Sequence, residues 1–86
     1  MPYIKQNQRK KFEEILEYLD RFVRIETCGE LNYLLTKIVL IYLNQKGERY
    51  QTYNDIIGVL ECIKQELYRR RIANYEEKKI KENGDI

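Results

Sequence analysis

The chain has 86 residues, sixteen basic and fourteen acidic, for a formal charge of only +2. A domain this small buries about 60% of the surface its unfolded chain exposes, which excludes a second core and calls for a staple or a partner. The near balance of charge excludes nucleic-acid binding driven by bulk electrostatics, so any anion site must be local.

Two staples are absent. Cys28 and Cys62 are the only cysteines, there is no histidine, no secretory signal is expected, and one possible bridge does not make a disulfide scaffold. Both thiols are expected to be reduced and packed. Two isolated cysteines do not supply the paired ligands of a zinc site, so neither a metal nor a cofactor is expected. Self-association remains, and a homo-oligomer is expected. The longest apolar run, residues 38–43, has six residues where a membrane span needs about twenty. A soluble, cytoplasmic protein with no membrane partner is therefore expected. Eight tyrosines with no tryptophan make the aromatic surface amphipathic, which suits both the rim of a small core and half-wet places such as interfaces and ligand pockets.

In chain order, Met1-Pro2-Tyr3-Ile4 brings two apolar side chains that are expected to fold back or reach a partner. Phe12, Ile15, Leu16, Leu19, Phe22 and Val23 then fall in an arc of about 120° at 100° per residue, predicting an amphipathic helix from about Gln8 to Ile25 that stops near Thr27-Cys28-Gly29. A second helix is predicted over about Glu30–Gln45. It is apolar nearly all round, so it is expected to be central; a buried strand at Ile38–Ile41 is the alternative. Lys46-Gly47-Glu48 reads as a turn. Thr52, with Asp55 three residues on, reads as the N-cap of a third helix whose core stripe is Tyr53, Ile56, Ile57, Leu60, Ile63 and Leu67. Beyond Leu67 the same angular positions carry Arg70 and Arg71, so the helix is expected to outrun its core. From Glu76 the tail has little to bury, and residues 76–86 are expected to fray. The whole, residues 1–86, reads as one small all-α, three-helix domain with two amphipathic helices and a long C-terminal one.

Candidate chemistry concentrates on the third helix. Asn54, Gly58, Glu61 and Gln65 stack in a strip about 60° wide. A glycine inside a helix costs roughly 1 kcal/mol relative to alanine, so its retention points to a close approach by a crossing helix or a ligand. Arg69-Arg70-Arg71, with Lys64 before them, form the densest cationic patch, and guanidinium groups chelate phosphate bidentately. The bland reading of the same cations is a solvated helix end favoured by the dipole. Catalysis has weaker support. Without histidine a general base must be a carboxylate, and the Glu-x-x-Glu pair Glu14 and Glu17, of the kind helical nucleotide pyrophosphatases place around magnesium, has no downstream partner pair.

Pro2-Tyr3-Ile4-Lys5, Gly29-Glu30-Leu31-Asn32-Tyr33, the run Asn54-Asp55-Ile56-Ile57-Gly58-Val59-Leu60-Glu61 continuing through Lys64, Glu66, Tyr68, Arg69 and Arg70, and the ending Tyr75-Glu76 to Asn83-Gly84-Asp85 resemble a family of short uncharacterised proteins of phages and prokaryotes. The resemblance covers nearly the whole chain, with Asn74 standing where the family pattern has proline. It implies no established activity. It does imply a setting in which short phage-type proteins act as inhibitors, adaptors or sequestering proteins, and some small helical oligomers among them trap the cyclic nucleotide signals of host defence. The expected function is a non-enzymatic, homo-oligomeric protein that holds a small anionic, nucleotide-like ligand. Lys64, Arg69 and Arg70 would take phosphate, Tyr33 or Tyr68 would stack, and Asn54 with Glu61 would read polar edges. The alternative is an interaction module binding a host or phage protein through a helical face; a magnesium-dependent nucleotide hydrolase ranks third.

Overall fold

The computed structural model describes residues 4–86, so the expected role of Met1-Pro2-Tyr3 lies outside the described residues. The protein is all-α, with three helices and no strand among the described residues. It falls into two units, Met1–Glu48 and Arg49–Ile86.

In the first unit, two 3-10 turns (Gln6–Gln8 and Lys10–Phe12) lead into α1 (Glu13–Phe22), so the predicted first helix is shorter than its periodic pattern at both ends. The entry is pinned by the Arg9 guanidinium, whose Nη2 donates to the Ile4 carbonyl at 3.3 Å. The exit needs no glycine, because Val23 turns the backbone to extended geometry (φ −111°, ψ 125°) while its N–H still donates to the Leu19 carbonyl. Thr27 and Gly29 therefore do not end the first helix; they begin the second. Thr27 is the extended N-cap of α2 (Cys28–Lys46), its Oγ1 accepting from the Glu30 N–H at 3.1 Å. The Glu30 carboxylate in turn accepts the Glu26 N–H at 2.9 Å, a box displaced by one residue from the usual reciprocal pair. Cys28 and Gly29 occupy the first turn of α2, whose middle contains Ile38–Ile41, so those residues are helical. At the other end Gly47, with φ +94°, supplies the predicted turn, and its N–H closes onto the Leu43 carbonyl at 2.8 Å.

The second unit is one continuous helix over residues 50–83, roughly 50 Å long at 1.5 Å per residue. It consists of α3 (Tyr50–Leu67), a π turn (Tyr68–Ile72) and α4 (Ala73–Asn83). Arg49, extended at φ −143°, precedes it without a side-chain cap, so the predicted cap at Thr52 is not used. Thr52 sits in the first turn of the helix and is 3% exposed, and Asp55 accepts from Gln51 Nε2 at 2.7 Å instead of serving a cap.

Burial is sparse. Ile56 is the one buried apolar side chain among the described residues. The helical faces expected to be core are open: Phe12, Leu16, Phe22, Leu35, Ile41 and Ile63 are all more than two-fifths exposed. Cys28 and Cys62 are free and exposed, which corrects the expectation that both pack. Leu19, Val23, Leu34, Val39 and Leu43 are half-buried, so most of the apolar surface of the described residues is only partly covered.

Candidate ligand-binding site

Six of the seven candidate residues, Asn54, Glu61, Lys64, Tyr68, Arg69 and Arg70, lie along the 50–83 helix, within one unit. Tyr33 lies on α2 in the other unit, with the Lys37 ammonium 5.5 Å from its ring centroid, so it makes its own local cation–π contact.

The π turn organises the cationic end of the site. Its defining bond runs from the Ala73 N–H to the Tyr68 carbonyl, five residues back where an α-helix would use four. Such turns inside α-helices are frequent at functional positions, and this one holds all three consecutive arginines. It also explains a contact that regular geometry disfavours. The Tyr68 hydroxyl donates to Glu76 Oε1 at 3.0 Å, although eight residues of uniform α-helix turn by about 800° and leave the two about 80° apart. A π turn rotates less per residue and brings them to one side. The bond holds the Tyr68 phenol above its ordinary value of 10.0, because ionisation would remove the donated proton and set a phenolate against a carboxylate.

Glu66 forks the arginines. Its Oε2 lies 3.0 Å from Arg69 Nη2 and 3.1 Å from Arg70 Nε, and Oε1 takes a further bond from Arg69 at 3.2 Å. One carboxylate thus orients two guanidinium groups from one and the next helical position, by the i,i+3 and i,i+4 spacings. The arginine side chains remain about three-fifths exposed while that of Glu66 is only 26% exposed, so the positive ends face outward. Arg71 has no ion pair among the described residues. One turn earlier Glu61 accepts from Gln65 Nε2 at 3.2 Å and pairs with the Lys64 ammonium at 3.4 Å. The Gln65 bond first, and then Lys64, lower the Glu61 pKa. Lys64, Arg69, Arg70 and Arg71 against Glu61 and Glu66 leave two net positive charges along about three turns of helix.

Gly58 lies on the same strip as Asn54 and Glu61. A Cβ built there meets no atom of the described residues within 4 Å, so nothing among them explains the glycine. The shallow depressions of the first unit, lined by Leu40, Ile41 and Gly47 in one case and by Ile4, Lys11 and Phe12 in the other, contain none of the candidate residues. In α1, Glu17 pairs with Arg21 at 3.3 Å, as expected of a solvated face.

A family profile described as a domain of unknown function (DUF6899) matches residues 1–86. The chain belongs to this family. No curated protein and no solved structure matches the chain. For this DUF6899 chain, then, the geometry of the long helix carries the functional argument. Sequence reading singled out the arginines by charge density and Tyr68 as an aromatic side chain beside them. It gave Glu66 no role of its own, although its spacing to Arg69 and Arg70 was visible, and it gave none to Glu76, whose pairing with Tyr68 depends on a π turn that has no residue signature.

Proposed function

We propose that this DUF6899 protein is a non-enzymatic, homo-oligomeric binding protein that holds a small anionic, nucleotide-like ligand at a subunit interface, as a phage-type sequestering protein would. The observation that carries the reading is the outward display of Arg69 and Arg70, oriented from behind by Glu66 and flanked by Tyr68. A planar guanidinium pair presented in this way suits bidentate recognition of phosphate, and an adjacent tyrosine suits stacking on a base. The cluster stands on the open side of a helix, so enclosure of a ligand requires a second surface. The sparse burial of the chain supplies an independent reason for that surface to be another subunit. Asn54 and Glu61, on the strip where Gly58 leaves room, provide the polar contacts.

The test is titration calorimetry of the purified protein with a panel of linear and cyclic nucleotides. Arg69→Gln combined with Arg70→Gln is expected to abolish heat of binding while the far-ultraviolet circular dichroism of the helices is unchanged. Binding that survives the double substitution overturns the assignment.

A second reading, a module that binds a host or phage protein through a helical face, is favoured by the open apolar face of α1, where Ile15, Leu16 and Phe22 are 58–70% exposed. It predicts one protein partner recovered from host lysate in fixed ratio, lost on Leu16→Glu. Recovery unchanged by that substitution removes α1 from the reading.

A further inference from the structure

We infer that the exposed face of the 50–83 helix pairs with the same helix of a second copy, antiparallel, with Leu60 of one copy opposite Tyr75 of the other. The inference rests on the oligomeric reading above and names its surface and register.

Two observations carry it. The first is the rotation at the π turn. Leu60, Ile63 and Leu67 form a line, at 40%, 54% and 53% exposure. Tyr75 is eight residues beyond Leu67, the same separation as Tyr68 and Glu76, and the 3.0 Å bond between the latter pair shows that residues eight apart across this turn share a side. The apolar line therefore runs on to Tyr75, itself 60% exposed, with Ile72 beside it. The second is charge. Residues 50–67 hold one lysine against three carboxylates, net −2, whereas residues 68–83 hold six cations against three carboxylates, net +3. Antiparallel pairing lays the negative half of each helix along the positive half of the other and opposes the two helix dipoles; parallel pairing sets like halves together.

The register follows from seating apolar on apolar. With Leu60 opposite Tyr75, Ile63 falls opposite Ile72 and Leu67 lies next to the two-fold axis. Asp55 then stands level with Lys79 and Lys81 of the second copy, and Glu66 with its Arg69. Lys64 falls level with Arg71 of the second copy, and symmetry doubles this pair of like charges. Those four cations include the Lys64 of the proposed phosphate site, and an anion seated among them would relieve the repulsion.

The test uses full-length chains with Cys28→Ser and Cys62→Ser, carrying either Leu60→Cys or Tyr75→Cys. Under mild oxidation, a mixture of the two is expected to give a covalent 60–75 dimer, while each variant alone stays uncrosslinked, because like positions are separated by about 22 Å along the axis. Self-crosslinking of each single variant indicates parallel pairing and overturns the inference. If native mass spectrometry shows an oligomer but no 60–75 crosslink forms, this surface is wrong and the oligomeric reading survives; if it shows only monomer, both fall. Leu67→Lys is expected to weaken association by roughly 30-fold or more, as removal of a central anchor does. Pyrophosphate is expected to raise the dimer fraction of the natural sequence in sedimentation, and no response overturns the placement of the anion.

Discussion

Two stretches of this chain carry nearly the same local pattern and do opposite things. Thr27-x-x-Glu30 and Thr52-x-x-Asp55 each place a threonine three residues before an acid. Thr27 is a working N-cap: its backbone is extended, its hydroxyl accepts the Glu30 N–H, and Glu30 reaches back to the N–H of Glu26. Thr52 is already inside a helix that began at Tyr50, is buried, and has no capping role, while Asp55 bonds to Gln51. The difference lies in what precedes each threonine. Val23 is extended and α1 has ended there, which leaves the chain free to enter α2 from an extended residue. Arg49 takes that extended position in the second case, directly after the Gly47 turn, and so moves the helix start ahead of Thr52. A capping pattern is therefore a statement about the backbone before it as much as about its own two residues.

The comparison is open to being broken by substitution. The largest effect belongs to the buried turn at Thr52 and Ile56. Ile56→Ala is expected to destabilise the fold by about 2–5 kcal/mol, the usual range for truncating a buried isoleucine, read as a lowered midpoint in urea. A cost below about 1 kcal/mol would mean that this turn is not the buried one. Thr27→Ala removes a real cap and is expected to cost about 1 kcal/mol, with Thr27→Ser restoring most of it. An equal cost from Thr27→Ala and Thr27→Ser would show that the methyl group matters and the capping bond does not.

Next in size is Gly58. Because a Cβ there meets nothing among the described residues, Gly58→Ala is expected to favour the isolated helix by up to about 1 kcal/mol through helix propensity. Thermal melts at low concentration would register that gain. Weaker association or ligand binding by the same variant would show that another backbone or a ligand comes close to this strip.

Much of the helical layout is legible in the sequence, and for definite reasons. Phe12 to Val23 repeat at the helical period, Gly47 marks a turn that needs a positive φ between the helices, and the 50–83 segment lacks internal breakers strong enough to stop a helix. The boundaries were not legible, because threonine and glycine at 27–29 suit the end of one helix as well as the start of the next. Nor was the burial. A stripe such as Tyr53, Ile57, Leu60 and Ile63 shows which side is apolar and says nothing about whether the same chain covers it. For the candidate site, the density of arginines was readable. Their orientation by Glu66 was available from spacing, and the pairing of Tyr68 with Glu76 was not, since it follows from a backbone bond over five residues.

The smallest expected effect is the one that most directly separates the two threonine patterns. If Thr52 capped its helix, Asp55 would stand at the third helical position, and its loss would cost on the order of 1 kcal/mol. In the structure Asp55 is the sixth residue of a helix starting at Tyr50, too far along to feel much of the N-terminal dipole, and its bond to Gln51 is an exposed i,i+4 contact worth about 0.2–0.5 kcal/mol. Asp55→Ala also gains a better helix former at an interior position, which offsets much of that loss. Its stability is therefore expected to stay within about 0.5 kcal/mol of the natural sequence, whereas Glu30→Ala, which removes the carboxylate from the Glu26 N–H, is expected to show a measurable loss. The two variants, compared by urea unfolding under one condition, need no absolute scale. Asp55→Ala costing as much as Glu30→Ala would return Thr52 to the helix end and move the start of the long helix by three residues.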